Sequence, residues 1–551
     1  MKQIFKHLTI IAIILIFSCS AYSQKQNFEL IKNTNIFNSI LKELSLFYVD
    51  TIDAEKIITN GINSMLYSLD PYTTYIPKKE EDDLKFMTTG EYAGVGALIS
   101  KRDSLIQITS IYEGNPAHKD GMKVGDRILE INGESMVGKS NDFVSDHLRG
   151  KANSLAIIKV KRPTVDSVVT LNVTRKKIYI PAVSYYGVTQ NDIGYIYISS
   201  FNTNTASEVK DALLDLKKNH NITSLVLDLR GNPGGLLNEA IGVINLFVPK
   251  GKTILETRGR LKELENTYKT SQKPIDTEIP IAVLINEESA SASEIVAGAM
   301  QDLDRAVIVG NRSYGKGLVQ STRSLPYEGT LKITTAKYYI PSGRLIQAID
   351  YSNRNEDGTT TRIPDSLTTE FKTAAGRIVR DGGGITPDVT YEYPKQSNIL
   401  YYLSIDYHIF DFATRYVAEH PTIASATEFK LTDDEYNQFK EELKSKNFTY
   451  DRESLKLLNK LKELAKFEGY LDDAEETINT LEKLLEHNID KDLENFKEEI
   501  KSELEMEIIE RYYYKKGLMS RGVEEDKCIG KAIEILKNPT QYKQILSPKE
   551  R

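Results

Sequence analysis

An α/β core with an inserted β-rich module, short helices before it and a helical region after it is the architecture that the sequence predicts. Three observations carry this prediction. Between about 180 and 392, continuous apolar strand-like runs alternate with helix-like ones. Between about 90 and 176 the hydrophobic period falls to two, and beyond about 395 charges of both signs recur at helical spacing.

At 551 residues the chain is long enough for several domains and a well-buried core. Its formal charge is −7, with 27% charged residues and no long basic block. A nucleic-acid groove would lack electrostatic support, so nucleic acid is excluded as a partner.

The opening stretch MKQIFKHLTIIAIILIFSCSAYSQ carries two lysines, an apolar run too short for a comfortable membrane span, and the small-residue pattern Ala21-Tyr22-Ser23. Residues 1–23 therefore read as a secretory signal cleaved after Ser23. A rival reading takes IFSC as a lipobox-like pattern, which would put a lipid on Cys19 and tether the protein to a membrane. Both readings make the protein periplasmic or otherwise exported. Cys19 and Cys528 are the only cysteines in the sequence, and signal cleavage leaves one of them, so no internal disulfide is expected.

Residues 27–88 read as short amphipathic helices, IFNSILKELSLFYV and AEKIITNGINSMLYSL, ended by Asp70-Pro71; they would form an entry domain or a dimer contact. In the module at 90–176 the strand candidates are GALIS, SLIQITSIY, DRILEING, LAIIKVKR and SVVTLNVTR, separated by Gly, Pro and Asn turns. Within 180–392, SLVLDLR precedes LLNEAIGVINLFV, IAVLIN precedes SEIVAGAMQDL, and RAVIVG follows, as in a sheet covered by helices. The tail at 395–551 is charge-rich, and its alternating signs read as a solvated helical face.

INEESASASEI at 285–295 raises the question of a nucleophile, because three serines alternate with alanines between a strand-like and a helix-like run. A serine hydroxyl needs a base, either His or a lysine held neutral by burial. No histidine lies between His220 and His408, whereas Lys316 stands between two glycines in VGNRSYGKGLVQ. That stretch mimics a phosphate-binding loop but fails it twice: Gly317 replaces the magnesium-binding Ser or Thr, and LVQSTRSLP reads as a strand where a helix is required. The loop LRGNPGGL at 229–236 is either a tight turn or an anion site whose amides could hold a developing oxyanion. Spacing alone does not choose among the serines.

SASASEI followed by YGKGLVQ, with DLRGNPGG upstream, resembles the carboxyl-terminal processing peptidases, exported Ser-Lys serine proteases also called tail-specific proteases. The similarity runs from LDPYTTY at Leu69 to ITPDV at Val389. It implies Ser291 as nucleophile and Lys316 as general base, with Gln320 orienting the lysine, Glu294 near the site, and Ser289 and Ser293 in support. The implied oxyanion donors are the N–H of Ala292 and one from Gly234 or Gly235. No metal or cofactor is implied, and the core would consist of crotonase-like strand-helix repeats. A lysine with its ordinary pKa of about 10.4 is protonated at neutral pH, so this chemistry requires Lys316 to be desolvated.

GEYAGVGALI and GNPAHKDGMKVGDRILEINGE resemble a PDZ domain, whose peptide would be captured by amides around Gly94, Val95 and Gly96. Ala97 departs from the usual loop, which leaves peptide preference open. The expected partners are proteins or peptides bound by their C-termini, a membrane through the N-terminus, and a second copy through the N-terminal or C-terminal helices. PSGRLIQ and GGGITPD also resemble family segments, but no chemistry is assigned to them. Two rivals stay open: a peptide-binding scaffold with an inactive core, and an acyl-CoA enzyme of crotonase type.

Overall fold

The computed structural model describes residues 28–163, 165–189, 192–355, 359–485 and 488–548. The expected signal at 1–23, with Cys19, lies outside the described residues. Among the described residues two compact units are present: residues 28–78 with Gln320–Thr334, and Lys79–Val319 with residues 335–548.

In the first unit, residues 28–47 are helical and a second helix spans Ala54–Tyr67, its first turn capped by the Asp53 carboxylate at 3.1 Å from the Lys56 N–H. The helical pattern ends at Asp70 for a local reason. The buried Asp70 carboxylate accepts the N–H groups of Tyr72 and Thr73, both at 2.8 Å, and the Thr73 hydroxyl at 3.0 Å. The turn so formed feeds the strand Thr74–Ile76, which pairs antiparallel with Thr330–Lys332.

The second unit begins with the β-rich module. Five antiparallel strands, Ala97–Arg102, Leu105–Ile111, Arg127–Ile131, Leu155–Lys161 and Val168–Thr174, stand in that order, with Ala97–Arg102 at one edge. The expected period of two is met: Ala156, Ile158 and Val160 are fully buried, and the residues between them are not. The helix Asn141–Leu148 packs Val144 and Leu148 into this core.

The sheet of the α/β core has the order Val183–Val188, Ile193–Ile198, Ser224–Asp228, Ile281–Ile285, Val307–Gly310, Val389–Thr390. Its first pair is antiparallel and the rest are parallel. Its central strands, Ser224–Asp228 and Ile281–Ile285, are buried at every position, as strands covered on both faces must be. On one face Leu225, Leu227, Val283 and Ile308 meet helices Thr205–His220, Leu237–Asn245 and Ala292–Asp302.

The other face corrects the expectation for the tail. Tyr195, Val226, Leu284 and Val309 are covered by Ile529, Ala532, Ile535 and Leu536 of helix Lys527–Lys537. Part of the charged tail is therefore core. Asp526 anchors it by accepting from Arg230 Nη1 at 2.6 Å, and the Tyr542 hydroxyl accepts the Ile281 N–H at 3.1 Å. The tail also meets the β-rich module, where Arg102 donates to both carboxylate oxygens of Asp411 at 2.6 and 2.9 Å.

Candidate active site

Three serines that look alike in sequence occupy different environments. Ser289 and Ser293 are fully buried and spend their hydroxyls on the distant 229–232 loop, donating to the carbonyls of Leu229 at 2.8 Å and Asn232 at 2.9 Å. Ser291 is half-buried. It caps the helix Ala292–Asp302 with φ 54° and ψ −111°, a backbone conformation that L side chains rarely adopt. Holding a non-glycine residue there costs about 1–3 kcal/mol, which the surrounding bonds must offset.

The 229–236 loop passes directly over this turn. A Cβ on Gly234 would lie 2.7 Å from the Ala290 oxygen, 2.8 Å from Ser291 Cβ and 2.9 Å from the Ala292 nitrogen. Only a glycine permits this approach, and its φ of +100° requires one independently. The Gly234 N–H donates to Asn232 Oδ1 at 2.8 Å. Gly235 is bridged to Phe201 through its neighbours: the Phe201 N–H donates to the Gly234 carbonyl at 2.9 Å and the Leu236 N–H to the Phe201 carbonyl at 2.7 Å. In such a parallel bridge the N–H of Gly235 itself points away from Phe201.

Lys316 is half-buried in the loop between strands Val307–Gly310 and Leu318–Ser324, and the strand that follows it matches the sequence expectation. Its glycine neighbours allow close packing. A Cβ on Gly315 would lie 2.2 Å from Ala348 Cβ, and one on Gly317 would lie 2.8 Å from the Gln347 nitrogen. PSGRLIQ thereby acquires a structural role: Gln347 Oε1 accepts the Gly317 N–H at 2.7 Å, and buried Arg344 donates to Asp302 at 2.9 Å, at the C-terminal end of the serine-bearing helix. GGGITPD contributes Ile385, whose N–H donates to Ser313 Oγ at 2.7 Å.

One buried carboxylate joins the two loops. Glu294 Oε2 accepts the N–H groups of Ser291 and Lys316, each at 2.8 Å, while Oε1 accepts from Ser313 Oγ at 2.5 Å and from the Gly315 N–H at 2.7 Å. Burial pushes the Glu294 carboxyl above the usual carboxylate range, and the four donors pull the other way. The Tyr338 hydroxyl lies between the same two residues, donating to the Lys316 carbonyl at 2.6 Å with the Ser291 carbonyl at 3.2 Å. Sequence reasoning singled out neither Tyr338 nor Gln347, and no local pattern marks them. Gln320 lies on the strand after Lys316, and its amide donates to Thr334 Oγ1 at 3.3 Å.

In the β-rich module, Val95 and Gly96 line a cavity of about 270 Å³ between the edge strand Ala97–Arg102 and the helix Asn141–Leu148; Gly94 is outside its lining and pairs with Lys176. The carbonyls of Val95 and Gly96 are spent on Ala117 and Tyr112 at 2.7 and 3.1 Å. Among the described residues, no group of three His, Cys, Asp or Glu side chains is placed to hold a metal, and no helix is long and apolar enough to cross a membrane.

A serine turn gripped to a lysine loop, beside a domain with an open strand edge, is the layout of a PDZ-bearing serine-type peptidase. Family models agree: peptidase family S41 matches residues 192–352, a PDZ domain 84–161, and a probable PDZ-protease C-terminal helical domain 399–536. The chain is 39% identical over 316 residues to the carboxy-terminal-processing protease of Bartonella bacilliformis, covering 57% of this chain and 72% of that one. It is 32% identical over 369 residues to a probable CtpA-like serine protease of Staphylococcus aureus strain N315, covering 67% and 66%. Among solved structures, the photosystem II D1 C-terminal processing protease aligns at 26% identity with a TM-score of 0.36, covering 65% of this chain and 92% of that one. The chain belongs to the C-terminal-processing serine proteases of peptidase family S41.

Gly234→Ala tests the close passage of the loop over Ser291. The substitution is expected to lower kcat at least about 10-fold and stability by roughly 1–3 kcal/mol, read by peptidase assay and thermal melting. Wild-type values in both would show that the loop does not pass this closely.

Proposed function

We propose that this chain is an exported endopeptidase that takes protein substrates by their C-termini on the PDZ domain and cleaves them with a Ser291-Lys316 dyad. The observation that carries the reading is the Glu294 carboxylate, which holds the N–H groups of both residues at 2.8 Å and so fixes one loop against the other. In this reading Ser291 Oγ bonds to the scissile carbonyl carbon while Lys316 takes its proton. The C–N bond then breaks, the amine leaves with that proton, and water resolves the acyl-enzyme. Gln320 orients the lysine.

The oxyanion amides are those of Ala292 and Gly235. Gly235 is preferred over Gly234 because the Gly234 N–H is already committed to Asn232. For the PDZ domain, the edge position of Ala97–Arg102 and the cavity beside Val95 and Gly96 support strand addition by an extended peptide. Export rests on the leader, with cleavage after Ser23 or a lipid on Cys19.

The test uses an unstructured protein with an apolar C-terminal tail and a fluorophosphonate probe, both read by mass spectrometry. The full chain is expected to fragment the protein and to carry the probe on Ser291. Binding without cleavage, or labelling of Ser289 or Ser293 in its place, would sink the reading.

A further inference from the structure

The peptide groups of Ser291 and Lys316 are held from both sides. Their N–H groups converge on one carboxylate oxygen, and their carbonyls converge on one hydroxyl, that of Tyr338. The carboxylate belongs to Glu294, a near neighbour of Ser291 in sequence. Tyr338 comes from elsewhere: it sits on the strand Thr330–Tyr339, is 1% exposed, pairs with Thr257, and donates its own N–H to the Gly317 carbonyl at 3.0 Å.

We propose that Tyr338 is a positioning residue of this peptidase, its hydroxyl keeping the lysine loop in register with the serine turn. Two features make such a clamp necessary. Ser291 holds a backbone conformation that a free turn would leave, and Lys316 is flanked by Gly315 and Gly317, which give its loop little stiffness of its own. A donor shared by both carbonyls restrains motion of one loop relative to the other, which separate bonds to separate partners do not. Being neutral, it also adds no negative charge that would favour the protonated lysine. Titratable groups bonded to the lysine loop include Glu294, Tyr338 and Arg362, whose guanidinium donates to the Tyr314 carbonyl at 3.3 Å.

This inference rests on the Ser291-Lys316 reading, and its test separates the two. Tyr338→Phe in the full chain keeps the ring and removes the O–H. Steady-state rates on the tailed protein are measured across pH, with kcat referred to active sites counted by fluorophosphonate labelling, and melting is followed in parallel. The expected result is a kcat about 10–100-fold lower with KM unchanged, since a small misplacement of reacting groups has effects of that order. The acidic limb of the kcat/KM profile should also move to higher pH, because a lysine on a loosened loop meets water and holds its proton more tightly.

A wild-type kcat and profile in Tyr338→Phe would overturn the proposal, as would a loss of activity that tracks the melting temperature with the profile unmoved. Lys316→Ala, run alongside, distinguishes the failures. If it still cleaves, the dyad reading falls and the clamp with it; if it is inactive while Tyr338→Phe is unaffected, only the clamp is overturned.

Discussion

Lys316→Ala is expected to lower kcat by about 10³-fold or more, at the strong end of what removal of a general base does, with little change in melting temperature. The side chain is half-buried in a loop whose backbone is held by Glu294 and Tyr338, so truncation leaves those bonds in place. Lys316→Arg is the sharper control. It keeps the positive charge and much of the length, but a guanidinium does not give up its proton in a protein, so it should be as inactive as alanine. An active Lys316→Arg would show that charge alone matters and that Lys316 does not act as the base.

Ending the chain after Glu525 is expected to abolish the native state. The cut removes Ile529, Ile535 and Leu536, each at most 5% exposed, along with the Asp526 partner of Arg230 and the Tyr542 contact to Ile281. At about 1.5–3 kcal/mol for each large aliphatic side chain, the lost burial of these three alone is roughly 4.5–9 kcal/mol. A typical domain is stable by only about 5–15 kcal/mol. The truncated protein should aggregate or lose cooperative melting, and an unchanged melting curve would contradict the packing of helix Lys527–Lys537 on the sheet.

Those two outcomes bear on features of different legibility. Strands are plain in the sequence because burial on both faces leaves an unbroken apolar run: IAVLIN becomes Ile281–Ile285, and SLVLDLR becomes Ser224–Asp228. In the β-rich module the period of two gives LAIIKVKR as Leu155–Lys161. The role of the tail is harder to see. Lysines and glutamates dominate its composition, yet Ile529, Ala532, Ile535 and Leu536 recur at helical spacing within a single helix, a stripe that composition averages away.

At the candidate site, local sequence shows a serine turn and a glycine-flanked lysine, and the family resemblance selects Ser291 and Lys316. Spacing cannot reveal that Ser289 and Ser293 donate to carbonyls of the 229–232 loop, because those partners are remote in sequence. Nor can it choose between Gly234 and Gly235, which depends on where each N–H points. Tyr338 and Gln347 escape notice for the same reason, since their function is defined by groups that only the folded chain brings near.

The placement of helix Lys527–Lys537 also bears on the order in which the enzyme matures. It follows the last sheet strand, Val389–Thr390, by a long stretch of chain, so Ser291 and Lys316 are synthesised well before the cover of the sheet that supports them. Until residues as far as Leu546 are available, that sheet has one bare apolar face, and contacts so distant in sequence form late in folding. The sheet that carries Ser291 and Lys316 is thus completed only after elongation has passed it, and in the proposed reading the dyad rests on a support that the last helices finish.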